Sequence, residues 1–305
     1  MGFWIVILLL IGGIVLYATL SGKTGMQREY RDRQQGLADL LRYVTPVADG
    51  VMLGKGGELI AGFFYRGTDT ESASNSELES IAARLNAVKT RFGSGWMVHI
   101  DAIRASAIGY APEGAFFAPV ACLMDMERRA QYKQEGRHFE SLYAMVFTYL
   151  PPLKLETQAC SMMFEQSSDL VRSEDSMHDQ LVEKFQLEMR EIEAQLGSIF
   201  DGISRMRCHE VVSEADNSTV IIDDLYGYLH YCVTGIKQNI ICPSASVYAD
   251  AIIGSQDFTG GTHPKIGNKH IRVLSIEGFP SVSFPGILGA LNSLPVVYCW
   301  NTRFI

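Results

Sequence analysis

The hydrophobic pattern of this 305-residue chain opens with a stretch that has no period at all. Phe3 to Leu20 reads FWIVILLLIGGIVLYATL, and none of the first 22 residues carries a charge. A bilayer-spanning helix needs roughly 20 apolar residues, with about 17 as the lower limit, so the run predicts one N-terminal transmembrane helix. Trp4 and Tyr17 fall near its two ends, where amphipathic rings prefer to sit. A cleaved signal peptide would need a basic segment before the run and a small-residue cleavage site after it. Only Met1 and Gly2 precede it and no A-x-A pattern follows, so an uncleaved anchor is the better reading. Gly12-Gly13 could permit close helix approach, but the pair is not spaced as G-x-x-x-G and plain anchoring explains it.

Beyond the anchor, periods near two and near 3.6 alternate. Val51 to Arg66 reads as a hairpin, two apolar runs about a Gly56-Gly57 turn. Ser76-x-x-Glu79 has the form of a capping box opening a helix, with Leu78, Ile81, Leu85 and Val88 on one face and Gly93 just past its end. Trp96 to Arg104 alternates as a half-buried strand. Pro119 to Glu135 predicts a charged helix, and Phe139 to Leu150 a strand stopped by Pro151-Pro152. From Glu165 to Phe200 the residues Met177, Leu181, Phe185, Met189, Ile192, Leu196 and Ile199 make an amphipathic stripe. Its heptad character is brief, so packing on a sheet is expected rather than a coiled coil. Asp223 to Tyr231 reads as a short helix, Ile271 to Glu277 as a strand, Pro285 to Leu294 as a helix and Val296 to Ile305 as a strand. The alternation predicts an α+β body, mixed sheets with packed helices, behind one transmembrane helix.

Composition changes this picture in two places. With the first 22 residues set aside, charged side chains make up about 21% of the remaining positions, ordinary for a globular domain. The net charge of −8 argues against non-specific nucleic-acid binding by this segment, which needs a surplus of Lys and Arg facing phosphates. Just after the apolar run, Lys23, Arg28, Arg31 and Arg33 outnumber Glu29 and Asp32, and the positive-inside tendency places the body in the cytoplasm. Cys122, Cys160, Cys208, Cys232, Cys242 and Cys299 are scattered, as expected of reduced thiols rather than a disulfide framework.

Candidate chemistry is sparse. Ser21-Gly22-Lys23-Thr24 looks like the end of a phosphate-binding loop, but Tyr17 stands where the loop needs its first glycine and an apolar run precedes it. The Gly-rich stretch Gly254 to Lys269 reads as an ordinary loop before an anion-binding nest. His230-x-Cys232, Cys208-His209, and His263 with His270 lack metal-ligand spacing, so no metal ligand is assigned. Adjacent helical residues point about 100° apart, so Asp223-Asp224 is better explained as charge at a helix N-terminus than as a catalytic carboxylate pair. No catalytic, cofactor-binding or metal-binding residue is assigned from the pattern.

A series of local blocks carries a further signal. In order they are Gly93-Ser94-Gly95-Trp96, Met126-Glu127-Arg128-Arg129, Gly136-x-His138-Phe139-Glu140-Ser141 and Tyr149-Leu150-Pro151-Pro152. Thr259-Gly260-Gly261, Gly267-x-Lys269-His270-Ile271-Arg272-Val273, Gly278-Phe279-Pro280, Pro285-Gly286-Ile287-Leu288 and Trp300-x-Thr302-Arg303-Phe304 follow. Together they resemble the N-terminal domain of the TrbE conjugal transfer ATPases, in the wider CagE/TrbE/VirB family of type IV secretion systems, from about Leu37 to the last residue. The apolar run and its basic flank set residues 1–22 apart as an anchor and 23–36 as a basic juxtamembrane segment, and the resemblance implies 37–305 as the TrbE-like N-terminal domain.

It further implies a bacterial inner-membrane machine whose full-length ATPase carries a RecA-like motor after this domain. The N-terminal region docks the motor onto other inner-membrane subunits and helps assemble a hexamer, while ATP hydrolysis powers pilus assembly and substrate transfer. The motor's phosphate loop and acidic magnesium partner lie beyond the last matching block, so ATP and Mg are expected only for the absent motor. The ending Arg303-Phe304-Ile305, inside an apolar strand, leads to the expectation of a polypeptide cut short of its natural end. The alternative is a stand-alone structural inner-membrane subunit of an envelope machine with no motor.

Overall fold

A computed structural model describes residues 36–69, 72–107, 109–111, 114–152, 171–212, 218–243, 248–274, 287 and 289–304. The expected anchor and most of the basic segment lie outside these residues. No described helix is long and apolar enough to cross a membrane. In chain order the elements are α1 (Leu37–Leu40), β1 (Tyr43–Ala48), β2 (Val51–Gly54), β3 (Leu59–Arg66), α2 (Asn75–Lys89), β4 (Trp96–Ser106), α3 (Pro119–Glu135), β5 (Phe139–Tyr149) and α4 (Val171–Gly197). There follow β6 (Gly202–Arg205), β7 (Cys208–Val212), β8 (Thr219–Asp223), α5 (Asp224–Thr234), α6 (Ala249–Ile253), β9 (Phe258–Thr259), β10 (Lys265–Ile266), β11 (Lys269–His270) and β12 (Tyr298–Phe304).

The main sheet has seven strands in the order β1-β2-β3-β5-β4-β12, with β6 pairing the outer edge of β3 beyond β2. Every described pairing is antiparallel, so the expectation of mixed sheets is corrected. The physical reason is a split crossover. The α2 connection brings β4 back in the same direction as β3, as a helical crossover does, but β5 occupies the place between them and runs against both.

Helices cover both faces of this sheet. One face carries Leu59, Ala61 and Phe63 of β3 with Met145 and Phe147 of β5, packed under Phe185, Met189, Ile192 and Leu196 of α4. The amphipathic stripe therefore packs on the sheet as its period predicts. The other face carries Ile60, Ala144 and Val146 beneath Leu225, Tyr226, Tyr228 and Leu229 of α5 and Ala249 and Ile253 of α6. Burial on both faces is why β2 and the first half of β3 are apolar without alternation. Gly62 keeps the second face open: a Cβ there would lie 2.7 Å from Met206 Sδ, which fills that space.

Several boundaries differ from expectation for local reasons. The α2 capping box is Ser74 with Glu77, two residues before the expected Ser76 and Glu79, because both S-x-x-E registers are legal and the earlier one adds half a turn of helix. Strand β1 contains Pro46, which discourages a strand reading, yet it is the sheet's outermost strand, where a missing N–H costs no ladder bond. The expected Ile271–Glu277 strand is displaced. Lys269–His270 form β11, residues 271–274 have no strand partner, and the remainder lies outside the described residues. The stretch read as a Gly-rich loop folds into a small three-stranded sheet, β11-β10-β9. Of the expected Pro285–Leu294 helix, the described portion is a 3-10 turn over Gly289–Ser293.

Candidate functional site

Two regions concentrate chemistry. The first lies along α5. Asp223 caps that helix: its Oδ1 accepts hydrogen bonds from Leu225 N at 2.9 Å and Tyr226 N at 3.1 Å, the role expected of a carboxylate at a helix start. Its neighbour Asp224 turns away to His209 Nδ1 at 3.4 Å. The two carboxylates thus serve different neighbours, as their angular separation requires. Burial raises both above the ordinary aspartate range.

Beside Asp223, Cys208 Sγ lies 3.6 Å from Oδ2 and 3.2 Å from Cys242 Sγ. Burial, then the hydrogen bond with Cys242, pushes the Cys208 thiol far up, so it stays protonated at neutral pH. Sequence spacing could not find this trio. Cys208 and Asp223 are cross-strand partners in β7 and β8, and Ile241 pairs with Ile222 on the other edge of β8. The expected candidates separate instead. His209 faces Asp224, while the His230 Nδ1 atom pairs with Ile253 O at 3.1 Å in the core. Cys232 shares a hydrogen bond with Cys299 of β12, which raises the first thiol and lowers the second.

The outer flank of α5 borders a cavity of about 360 Å³. Phe64, Ile103 and Leu142 of the sheet and Tyr228 and Tyr231 of α5 form its walls. Lys237 Nζ and Glu140 Oε1 stand 3.4 Å apart among its lining residues, an exposed pair of small energetic weight. Beneath, the Tyr228 hydroxyl donates to Asp101 Oδ2, and Asn301 of β12 donates to Asp101 Oδ1. Burial keeps the Tyr228 hydroxyl protonated and therefore a donor.

The second region is α3. It carries no buried residue. Its polar side meets the segments that flank the helix: Asp125 accepts from Tyr110 at 3.0 Å and from Arg129 of the same helix at 3.2 Å, and Tyr132 stacks on His138 with centroids 3.5 Å apart. Val120 and Leu123 lie on the opposite helical side, with Met124 and Met126 on its two flanks, and all four face solvent. Leu123 is 61% exposed and Met126 62%. This amphipathicity is inverted relative to a surface helix that buries its apolar stripe.

Two of the blocks that carry the resemblance, Gly93–Trp96 and Tyr149–Pro152, meet in space. Gly95 adopts φ +90°, and a Cβ on it would lie 2.4 Å from Leu150 O. Leu150 N donates back to Gly95 O at 2.7 Å, and the rings of Trp96 and Tyr149 sit 4.8 Å apart. Trp300 Nε1 donates to Thr302 at 3.0 Å within β12, and Lys89 lies over the Phe304 ring.

Fold and surfaces define an α+β domain with a sheet covered on both faces and one helix turned apolar side outward. Its residues 50–157, which include α3, match the family model for the N-terminal domain of the type IV secretion system ATPase VirB4/TrbE. The chain is 32% identical over 280 residues to a conjugal transfer protein TrbE of Rhizobium radiobacter, covering 91% of this chain and 34% of that protein. Sinorhizobium fredii carries a probable conjugal transfer protein TrbE divided between two polypeptides. The first of them is 36% identical over 134 residues, covering 43% of this chain and 90% of that polypeptide. The second is 33% identical over 121 residues, 40% of this chain and 18% of its own length. The chain belongs to the VirB4/TrbE family of type IV secretion and conjugal transfer proteins. It spans about a third of the length of the Rhizobium protein, 34%.

Proposed function

We propose that this chain is the docking and assembly module of a type IV secretion ATPase, held at the bacterial inner membrane by the Phe3–Leu20 run. In the full-length protein a motor following this domain hydrolyses ATP, with Mg, to power pilus assembly and substrate transfer. The observation that carries the docking reading is α3. A helix that turns Asp125, Arg129 and Tyr132 to its own flanking segments and Val120, Leu123 and Met124 to water is built to be covered by something else. Its occupant in this reading is an apolar cytoplasmic segment of another inner-membrane subunit. Neighbouring copies of the domain pack around it, in a hexamer when the motor is present.

The test is a double substitution, Leu123→Asp with Met126→Asp. Both positions are exposed, so the thermal midpoint is expected to hold, since exposed changes usually stay within about 0.5 kcal/mol. Co-purification with the other transfer subunits is expected to fall at least roughly tenfold, the effect of about 1.4 kcal/mol of lost contact. Undiminished co-purification would overturn the role of α3. Membrane attachment is tested separately. Deleting residues 1–22 is expected to move the chain from the alkali-washed membrane pellet to the supernatant, and retention in the pellet would remove the single-span reading.

A further inference from the structure

We propose that Cys208, Asp223 and Cys242 form a binding site for a thiolate-preferring divalent cation of the zinc class, with water in the fourth position. One ligand atom from each residue lies within 4.8 Å of the other two. The two sulfurs are 3.2 Å apart, and Cys208 Sγ is 3.6 Å from Asp223 Oδ2. Tetrahedral zinc, with Zn–S near 2.3 Å and Zn–O near 2.0–2.2 Å, sets its ligand atoms roughly 3.4–3.8 Å apart. For the ion to enter, the two sulfurs part by about 0.5 Å, and Cys242 Sγ and the carboxylate, within 4.8 Å of one another, draw in to tetrahedral spacing. Two sulfurs with one carboxylate oxygen select a borderline-soft cation over magnesium or calcium, which prefer all-oxygen shells.

The frame around the trio is rigid. Asp223 N donates to Ile240 O and Cys242 N to Ile221 O, both at 2.9 Å, so the Cys242 segment is laced to one edge of β8 while β7 is paired to the other. Asp223 divides its oxygens: Oδ1 is held by the two helix-start amides, which leaves Oδ2 directed at the sulfurs. That is the orienting support a metal carboxylate needs.

An independent observation points to a missing polar ligand. Tyr226 is fully buried, and its hydroxyl has no hydrogen-bond partner among the described residues. Burial, and then proximity to Asp223, Cys242 and Cys208, holds that hydroxyl protonated. An orphaned buried hydroxyl costs about 1–3 kcal/mol. Water on a cation held by those three residues would supply its partner.

A disulfide between the two sulfurs, which lie 3.2 Å apart, is the competing outcome, and forming it needs a two-electron oxidant. Binding the cation needs no oxidant. Each thiol releases its proton to solvent and both sulfur lone pairs go to the metal.

The experiment uses the whole chain in detergent with reductant present, exposed to Zn²⁺ or Co²⁺. We expect one zinc per chain by elemental analysis, and a thiolate-to-cobalt absorption band with Co²⁺. Asp223→Asn keeps a good helix cap and is expected to weaken zinc by more than the roughly tenfold lost with an outer-shell partner. Cys242→Ser is expected to abolish stoichiometric binding, and Cys122→Ser to leave it unchanged. In the unmutated chain, Zn²⁺ should slow alkylation of Cys208 and Cys242 but not of the exposed Cys122, a readout that requires no variant to fold. Zinc binding that survives Cys208→Ser with Cys242→Ser, a chain that takes up no stoichiometric zinc, or a Cys208–Cys242 disulfide in place of the metal overturns the site.

Discussion

Replacing Phe147 with alanine is expected to lower the unfolding free energy by about 3–5 kcal/mol, the usual result of emptying a large aromatic site in a core. Phe147 sits in β5, the strand flanked by β3 and β4, and is 2% exposed. Its ring meets Phe63 edge-to-face, with centroids 5.8 Å apart and planes at 81°, and lies 5.4 Å from Phe92. Those neighbours belong to different elements, so the cavity cannot be closed by shifting one side chain. A loss of this size is a large share of the roughly 5–15 kcal/mol that holds a domain folded. Urea unfolding followed by circular dichroism measures it, and a midpoint within error of the parent would show that α4 collapses onto the gap.

Asp101→Ala is expected to cost about 2–4 kcal/mol by a different route. Asp101 is 5% exposed and accepts from both the Tyr228 hydroxyl of α5 and the Asn301 amide of β12. Removing it strands two donors from elements otherwise far apart in sequence. The loss should be largely relieved in the Asp101→Ala, Tyr228→Phe double variant, because the orphaned hydroxyl is then gone as well. A double-mutant cycle in urea checks this, and strictly additive losses would show that the two side chains do not depend on one another. The bond fixes α5, and with it the wall of the 360 Å³ cavity, against the sheet.

The inverted polarity of α3 shows where reading from pattern ends. Its span was legible to the residue, from Pro119 at the first turn to Gly136 past the end. Which side meets the flanking segments was not. A helix with Val120, Leu123 and Met124 on one side normally buries them, and only the contacts of Asp125 and Tyr132 with Tyr110 and His138 reveal the reverse. The thiol trio was equally invisible, since Cys208 and Cys242 lie 34 positions apart and meet across a strand neither belongs to.

The amino-acid sequence by itself determined the local elements whose physics is local. These include the stripe of α4, the cap of α5 at Asp223, the strands β4 and β5, and the blocks that resemble TrbE. Short strands such as β6 to β11, and the antiparallel order of the main sheet, were decided by tertiary structure alone. A strand of two to five residues has too few positions to show a period, and its stability comes from the partner it pairs with. Strand direction follows from which segment fills the place between β3 and β4, a competition settled by packing across the whole sheet. The same holds for Cys208, Asp223 and Cys242: their chemistry is written at each position, but their meeting exists only once β8 has neighbours on both edges.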